Sequence, residues 1–396
     1  MAEAHSESLR GEQLIDGEER TALRRAVRAL GQRYGAAYFQ AKARVHEPAA
    51  ELWAEAGKLG YIGVNLPEQY GGGGGGMADL AIVLEELGAV GCPLLMLVVS
   101  PAICGSIISR FGTEEQRQAW LPDIADGSRI MAFGITEPDA GSNAHRLTTV
   151  GRRDGSDWLL SGRKVFISGV DNADAVLIVG RTQDARSGKL KPALFIVPRD
   201  APGFEYRPIP MDFTAPEQQF HLFLDDVRLP ADALVGSEDA GLLQLFAGLN
   251  PERIMASAFS SGIARYALSA AVEYAKTRTV WDAPIGAHQG IAHPLAQSRI
   301  EVELARLMMQ RAARLYDAGD DMAAGEAANM AKYAAAEAAV RAVDQAIQTL
   351  GGNGLTEEYG LAALLGAVRV GRIAPVSREM VLNFVSEHTL GLPKSY

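Results

Sequence analysis

The segment Phe133-Gly-Ile-Thr-Glu-Pro-Asp-Ala-Gly-Ser142 marks the point at which the sequence changes from helical to β-rich. Its first residues are apolar and suit a strand, and the Pro-Asp-Ala-Gly-Ser part predicts a tight turn. Turn residues of this kind present backbone N–H groups and hydroxyls, which suit a ligand with a polar edge. From this segment alone, an ordinary β-turn and a ligand-binding turn are equally good interpretations.

The surrounding residues 126–240 are predicted to form a compact antiparallel sheet or barrel. Short β-rich runs are separated at close intervals by Gly, Asp, Asn and Pro, which is typical of turns between strands. The runs are Asp157–Ser161, Val165–Ser168, Ala175–Arg181, Ala193–Val197 and Phe220–Phe223. Because no strands alternate with helices, the pattern argues against a Rossmann nucleotide-binding fold.

The flanking residues 1–125 and 241–396 are predicted to be helical. Fifteen of the forty residues from Arg311 to Leu350 are alanine, which suits tightly packed helices in a bundle. The long C-terminal helical patterns are Pro251–Val280, His288–Ala318 and Met322–Leu350, with shorter ones near Glu357 and within Val376–His388. The sequence therefore predicts an α+β multidomain protein that runs from helices to a sheet and then to a helical bundle.

Composition and charge favour a soluble cytoplasmic protein. The chain has 396 residues, of which 48% are hydrophobic and 22% charged, and a net charge of −10, which disfavours a nucleic-acid scaffold. Only Cys92 and Cys104 are present, so no disulfide framework is expected. The polar start of the chain does not resemble a signal peptide, and no metal site is predicted.

Two unusual stretches have simple structural interpretations. The segment Leu87–Ser109 has no charged residue over 23 positions, but it contains Pro93 and Pro101 and predicts two short buried helices rather than a membrane span. Gly71–Gly76 is a run of six glycines without a following phosphate-loop lysine, so we expect a mobile surface turn.

Four segments, taken in order, resemble the acyl-CoA dehydrogenase family. They are FGITEPDAGSN (Phe133–Asn143), GRKVFISG (Gly162–Gly169), YAKTRTVWDAPIGAHQ (Tyr274–Gln289) and QTLGGNGLTEEY (Gln348–Tyr359). The resemblance extends over essentially the whole chain. It implies an N-terminal helical domain at 1–125, a central β-barrel at 126–240 and a C-terminal four-helix bundle at 241–396. It also implies FAD as cofactor, an acyl-CoA substrate and an electron-transfer flavoprotein as electron acceptor.

The resemblance implies that FAD lies between the barrel and the bundle. The residues that would line its ring are Phe133, Ile135, Thr136, Gly141, Ser142, Phe166 and Ser168, and Ser142 would also contact the substrate. The family usually has Trp in place of Phe166 and Thr in place of Ser168, so the aromatic wall and the hydroxyl are kept. From the apolar strand pattern alone, Phe166 would be a core residue.

A neighbouring subunit would hold the rest of FAD. The resemblance assigns Arg278 to the pyrophosphate, since an Arg can bind phosphate oxygens through two N–H groups. The other residues assigned to the cofactor are Trp281, Gln289, Gln348, Gly351, Gly352 and Ser377. Trp281 and Asp282 depart from the usual Phe-Gly of the family, so contacts there would differ. A shared site requires an oligomer, and the family norm is a homotetramer built as a dimer of dimers.

Glu252 is the predicted catalytic base. Many family members carry the base in a segment that here reads Ile373-Ala-Pro-Val-Ser377, where Pro375 occupies its position. Isovaleryl- and long-chain-type members place the base in a Glu-Arg pair on an earlier helix, which matches Glu252 and Arg253, and Arg253 is expected to contact substrate. Locally, Asn250 and Pro251 could instead begin a helix whose dipole Glu252 complements. Glu357, Glu358 and Glu379 rank below Glu252.

Three functions therefore stay open. The first is α,β-dehydrogenation of an acyl-CoA to the trans-2-enoyl-CoA. The second is a flavin oxidase or monooxygenase on the same fold. The third is a catalytically silent subunit that binds acyl-CoA. The resemblance also implies that a flavin hydroxyl and the backbone N–H at the usual base position polarise the thioester carbonyl. Pro375 removes that N–H, unless Val376 supplies one.

Overall fold

A computed structural model describes residues 16–184, 188–238 and 241–394. Helices precede the sheet: α1 (Glu18–Arg44), α2 (Ala50–Lys58), α3 (Met77–Ala89), α4 (Ser106–Phe111) and α5 (Glu114–Asp126). Thr113 caps α5, because its hydroxyl accepts a hydrogen bond from the Gln116 N–H. The side-chain oxygen of Gln116 in turn accepts one from the Thr113 N–H. This is the predicted helical region.

The central sheet has eight strands. They are β1 (Met131–Gly134), β2 (Val150–Asp154), β3 (Asp157–Ser168), β4 (Ala175–Gln183), β5 (Leu190–Pro198), β6 (Phe204–Ile209), β7 (Gln219–Leu229) and β8 (Leu234–Val235). Their order is β6-β7-β3-β2-β4-β5-β8, and β1 pairs in parallel with β4. Strand β4 is buried on both faces, since Leu177 packs towards the helices while Val176 and Ile178 pack into a separate core of the sheet.

The predicted central β-barrel is wrong in one respect, because the described strands form an open sheet. The two ends of the strand order, β6 and β8, do not pair with each other. β1 occupies one side of β4 and continues into a turn, where the Thr136 carbonyl accepts a hydrogen bond from the Val165 N–H of β3 (3.0 Å). The register of β3 shifts between Lys164 and Ile167 at this point, which interrupts its pairing with β7.

Helices return after the sheet. They are α6 (Gly241–Thr277), α7 (Gln289–Asp317), α8 (Asp321–Leu350), α9 (Leu364–Ile373) and α10 (Arg378–Phe384), with a short hairpin of β9 (Thr279–Val280) and β10 (Ala283–Pro284) between α6 and α7. Alanines of α8 fill the contacts with α6 and α7. In the part of the chain that the structure describes, no helix combines the length and apolarity that a membrane crossing needs.

The uncharged stretch Leu87–Ser109 differs from the two short helices predicted for it. It contains the end of α3 and then a buried π-helical segment, Val98–Gly105, which continues directly into α4. Pro101 lies inside this segment, and the wider π turn accommodates its missing N–H. The Ser100 hydroxyl accepts a hydrogen bond from the Met131 N–H (3.1 Å), so the segment fixes the start of β1.

The six-glycine run Gly71–Gly76 is not the expected mobile turn. The N–H groups of Gly73, Gly74 and Gly75 donate to the carbonyls of Gly63, Leu66 and Val64 at 2.9 Å each. A Cβ on Gly72 would lie 2.2 Å from the Leu66 carbonyl oxygen, so only glycine fits this close approach.

A buried charge network joins the N-terminal helices to the bundle. Glu85 and Glu86 of α3 have no exposed side-chain surface. Arg24 of α1 contacts both carboxylates, at 2.6 and 2.9 Å, and Arg265 of α6 contacts Glu86 at 2.8 Å. Arg306 of α7 donates to Glu85. Because each buried carboxylate meets several guanidinium groups, its charge is compensated within the interior.

Candidate active site

The turn after β1 is closed by its own backbone and by a buried carboxylate. Glu137 and Ala140 exchange hydrogen bonds of 3.2 and 3.1 Å across Pro138 and Asp139. The Glu137 carboxylate accepts hydrogen bonds from the N–H groups of Thr148 (2.6 Å) and Thr149 (3.0 Å). Glu137 therefore ties the turn to the strand that follows it.

Lys164 of β3 lies beneath this turn and is buried. Its ammonium donates to the carbonyl of Ile135 (3.0 Å), the carboxylate of Glu137 (2.8 Å) and the carbonyl of Val179 (2.6 Å). Burial lowers the pKa of Lys164 to about 8, against the opposing effect of Glu137. Burial alone would raise the pKa of Glu137, but Lys164 and the threonine donors lower it to about 2.

Sequence reasoning missed the Lys164–Glu137 pair. Both residues lie in the quoted motifs. The available signal was Lys164 itself, a charged residue directly before the apolar run Val165–Ser168. A lysine that points into a sheet requires an acidic partner. The partner could not be chosen without the fold, since Glu137 is 27 residues away.

The residues predicted to line the ring of FAD lie around the junction of this turn and β3. Phe133 is buried, Ile135, Thr136 and Ser168 are half-buried, and Gly141 and Ser142 are exposed. The Ser168 hydroxyl donates to the Gln219 side-chain oxygen (3.0 Å). The bond between Val165 and Thr136 brings the two segments together.

Phe166 has an unusual conformation for an aromatic residue. Its φ is 58°, in the left-handed region that bulky residues rarely adopt, and its side chain is 57% exposed. This is the opposite of the core position that the strand pattern favours. An exposed ring beside a turn with hydroxyl and carbonyl groups fits the face and polar edge of a flavin. A Cβ on Gly141 would meet no atom within 4 Å, so this side of the turn is open to a ligand.

Glu252 lies in the middle of a helix rather than at its start. α6 runs through Pro251, so Asn250 is not its cap, and the Asn250 side chain instead donates to the Asp321 carbonyl (2.9 Å). Pro251 cannot bond the Ala247 carbonyl one turn earlier, and the Tyr316 hydroxyl donates to that carbonyl instead (3.0 Å). The prediction of a helix beginning at Pro251 is therefore wrong, because α7 supplies the bond that the proline removes.

The surroundings of Glu252 suit a base that works near neutral pH. Burial raises its pKa to about 7, although the positive charges of Arg253 and Lys332 favour its ionised form. Burial and the negative charge of Glu252 both raise the pKa of the Cys104 thiol. The Cys104 Sγ donates a hydrogen bond to the Ala132 carbonyl of β1 (3.5 Å). Glu252 is thus close to the strand that leads to the ring-lining residues.

Arg253 and the loop after α9 complete this region. The Arg253 guanidinium donates to the Leu249 carbonyl (3.0 Å), while its buried Nε has no hydrogen-bond partner among the described residues. Lys332 of α8 donates to the Val376 carbonyl next to Pro375. No described residue accepts a hydrogen bond from the Val376 N–H. Ser377, assigned to the cofactor, caps α10 by accepting from the Met380 N–H (3.3 Å).

The lower-ranked carboxylates are exposed. Glu357 has 85% of its side chain exposed and pairs with Arg44, and Glu358 is also exposed. The Glu379 side chain is 73% exposed and pairs with Arg378 (3.6 Å). None of the three lies in a buried pocket from which water is excluded, so they are poorer candidates for the base than Glu252.

The residues predicted to bind the rest of FAD lie at one end of the bundle. The Asn353 side chain donates to the Tyr274 hydroxyl (3.0 Å), which joins the end of α8 to the end of α6. Exposed residues at this end are Arg278, Trp281, Gln289, Gln348, Gly351 and Gly352. Among the described residues, no hydrogen bond or ion pair connects this group to the turn after β1.

Trp281 and Asp282 form the two-residue loop of the β9–β10 hairpin. Their φ values are 50° and 64°, which is the left-handed pair that this kind of turn requires. Trp281 is 85% exposed, and the centroid of its ring lies 6.1 Å from that of His288 in an edge-to-face arrangement. The Trp-Asp pair therefore fits this turn, and it places a larger ring than the usual Phe at an exposed position.

Comparison with known proteins shows the family of this chain. Models of the acyl-CoA dehydrogenase N-terminal, middle and C-terminal domains match residues 17–128, 132–227 and 239–390. The chain is 66% identical over 382 residues to acyl-CoA dehydrogenase FadE12 of Mycobacterium tuberculosis (strain ATCC 25618 / H37Rv), which covers 96% of this chain and 98% of that protein.

Solved structures show the same fold. A glutaryl-coenzyme A dehydrogenase in complex with glutaryl-CoA has a TM-score of 0.90 and 28% identity, covering 96% of this chain and 97% of the other. A glutaryl-CoA dehydrogenase from Mycobacterium smegmatis in complex with FADH2 has a TM-score of 0.88 and 28% identity, covering 97% of each chain. Because the match runs in order through all three parts and nearly the whole length, the chain belongs to the acyl-CoA dehydrogenase family of FAD-dependent oxidoreductases, which act on CH–CH groups.

Proposed function

We propose that this protein converts an acyl-CoA thioester to the trans-2-enoyl-CoA, with Glu252 as the base that removes the α-proton. The observation that carries the proposal is the position of Glu252, a half-buried carboxylate whose pKa burial raises to about 7. A base whose pKa is near the working pH is both unprotonated and basic enough to accept a proton from carbon. Pro375 cannot take this role.

The residues of the chain have distinct tasks in this reaction. Glu252 accepts the pro-R α-proton and holds it as a neutral carboxylic acid, the form that its buried surroundings favour. The Val376 N–H is available to bind the thioester carbonyl and so acidify the α-carbon. The buried Nε of Arg253 is available to a polar atom of the substrate. Bound FAD supplies the acceptor for the β-hydrogen as hydride, and an electron-transfer flavoprotein is the proposed next electron acceptor.

We also propose that the FAD site is shared between subunits of a homotetramer. The turn after β1 and β3 would hold the ring in one subunit, while Arg278 and the Gln348–Gly352 turn of another would hold the nucleotide half. In support, α7 exposes three large apolar side chains on one face, Ile300 (61%), Leu304 (62%) and Leu307 (45%). Apolar residues at this helical spacing suit contact with another chain.

The test of the base compares the wild type with Glu252→Gln in anaerobic flavin bleaching. A panel of straight, branched and aryl acyl-CoAs is used to identify the acyl group that the protein accepts. The variant keeps the size of the side chain and removes its basicity, so FAD content and acyl-CoA binding should be retained. The rate of flavin reduction should fall roughly 10²–10⁴-fold.

Glu379→Gln is the matched control, because it removes the same charge from an exposed position one helical turn beyond Pro375. It should reduce its flavin at the wild-type rate. If Glu252→Gln reduced its flavin at the wild-type rate, Glu252 would be excluded as the base, and Glu379 would be the next candidate. Rapid oxygen consumption without another acceptor would favour a flavin oxidase, and a wild type that is colourless or never bleached would favour a silent subunit.

A further inference from the structure

Lys332 of α8 is a buried lysine that the proposed reaction does not use directly. Its side chain is nearly inaccessible, with 2% of the residue exposed. The ammonium donates to the backbone carbonyl of Val376, 44 residues further along the chain. A buried ammonium requires such partners, and this one fixes the residue that follows Pro375.

The same ammonium acts on Glu252 without pairing with it. Burial, followed by the like charge of Arg253, lowers the pKa of Lys332 to about 8, while Glu252, Glu379 and Glu337 favour its charged form. Lys332 in turn favours the ionised form of Glu252, as Arg253 does from α6. Cys104 is the other titratable group on which Glu252 acts, and it stays a neutral thiol.

We propose that Lys332 is a positioning residue that holds the Pro375–Val376 loop and whose positive charge favours the ionised form of the base, Glu252. The inference rests on the proposed function, since it concerns the base and the thioester donor of that reaction. One side chain on α8 thereby couples two groups from different elements: the carboxylate on α6 and the Val376 N–H in the loop after α9.

Removal of Lys332 has two separable consequences. Without its positive charge, Glu252 ionises less readily and its pKa rises, by roughly 1 unit for the loss of a nearby opposite charge. Without its N–H donors, the Val376 carbonyl loses its partner and the loop is held less firmly. Lys332→Met removes the charge and the donors, Lys332→Gln removes the charge and keeps a donor, and Lys332→Arg keeps the charge.

The first measurement follows Glu252 itself by infrared titration of the FAD-loaded protein. Burial also raises the pKa of Glu217 to about 7, so its carboxylic-acid band must be distinguished from that of Glu252. The band that disappears in Glu252→Gln is the band of Glu252. We expect the midpoint of this band to move up by roughly 1 pH unit in both Lys332→Met and Lys332→Gln, and to stay near the wild-type value in Lys332→Arg.

The second measurement is the pH profile of flavin reduction by an acyl-CoA that bleaches the wild type. In Lys332→Met and Lys332→Gln, the acidic limb of this profile should shift to higher pH by the same amount as the infrared midpoint. At a pH on the acidic limb, the rate of flavin reduction should therefore be about tenfold lower than in the wild type. Hydrogen exchange at residues 374–377 should be faster in Lys332→Met than in the wild type. Arg341→Met is the control, because it removes an equal charge from α8 at a half-exposed site, where Arg341 pairs with Glu301 (2.7 Å) and with Glu337 (3.7 Å). Glu337 keeps its pair with Arg372 (2.7 Å), so none of these readouts should change.

The outcomes separate this inference from the proposed function. An unchanged Glu252 midpoint in both Lys332→Met and Lys332→Gln would overturn the inference, whether or not the protein is active. An equal shift in Arg341→Met would also overturn it. A wild type that binds FAD but is bleached by no acyl-CoA would instead overturn the proposed function, and the infrared titration would still decide the role of Lys332.

Discussion

Glu252 is a carboxyl group that its buried surroundings keep partly protonated at neutral pH. Its folded-state pKa of about 7 lies above the ordinary value of 4.5. The stability that this raised pKa contributes is complete below the unfolded-state pKa and is lost as the pH rises through about 7. The wild type should therefore lose stability relative to Glu252→Gln over this pH range.

The expected size of this change is on the order of 1–3 kcal/mol, allowing for the partial exposure of the side chain. Urea unfolding at pH 5 and pH 8 measures it as the difference between the wild type and Glu252→Gln at the two pH values. Glu379→Gln, at an exposed site, should show almost no such difference. If Glu252→Gln showed the same offset at both pH values, the raised pKa would be wrong.

The sequence was sufficient to choose Glu252 as the base, but it did not predict what surrounds Glu252 in the fold. Glu252 could be chosen because Pro375 removes the alternative, and that argument needs no coordinates. Its placement in mid-helix could not be predicted, since the Tyr316 hydroxyl that permits Pro251 within α6 comes from 65 residues later in the chain. Lys332 was missed for the same reason, because its partner Val376 is distant in sequence.

Among the elements, β3 and the turn after β1 depend on one buried ion pair. Lys164→Met leaves the Glu137 carboxylate buried without its cation and two carbonyls without a donor. Loss of one partner of a buried pair costs about 3–5 kcal/mol. We expect a loss of stability of this size in urea unfolding, together with weaker FAD retention, because the Ile135 carbonyl is no longer fixed.

Arg152→Met is the matched substitution in the same sheet. Arg152 of β2 pairs with Asp226 (2.9 Å), and both side chains are more than half exposed, so its loss should cost about 1 kcal/mol or less and leave FAD content unchanged. Equal stability of the two variants would show that the Lys164–Glu137 pair does not support the turn.

The order of elements was predictable, whereas the closure of the sheet was not. Turn residues at close spacing indicated the strands, and the change from helical to β-rich pattern near Phe133 coincides with β1. A barrel requires the two edge strands to meet, which depends on strand twist and on the register shift in β3. Neither property can be read from single residues. The domain boundaries and the cytoplasmic location remain predictions.

For the whole molecule, the central prediction concerns Arg278. Its backbone is held by the Tyr274 carbonyl (2.9 Å) and the Ile285 N–H (2.8 Å), so the exposed guanidinium extends from a fixed base. Because FAD and a second subunit would both favour the folded assembly, Arg278→Ala should weaken FAD retention and oligomer stability together. Gel filtration with light scattering and the flavin absorbance of the same fractions measure both.

Lys276→Ala provides the control two residues earlier. Lys276 is exposed and pairs only with Glu273 of the same helix among the described residues (2.8 Å), so its loss should leave both quantities unchanged. A stable monomer of Arg278→Ala with full flavin content would contradict the shared site.

The charge network around Glu85 and Glu86 has a consequence for synthesis on the ribosome. Arg24 is made before the two glutamates, but Arg306 follows Glu85 by 221 residues. At about 5–20 residues per second, the ribosome delivers Arg306 roughly 10–45 s later. Until then the nascent N-terminal helices hold two acidic groups with only part of their counter-charge. The N-terminal helices therefore reach their native interior only after translation has passed into the last third of the chain.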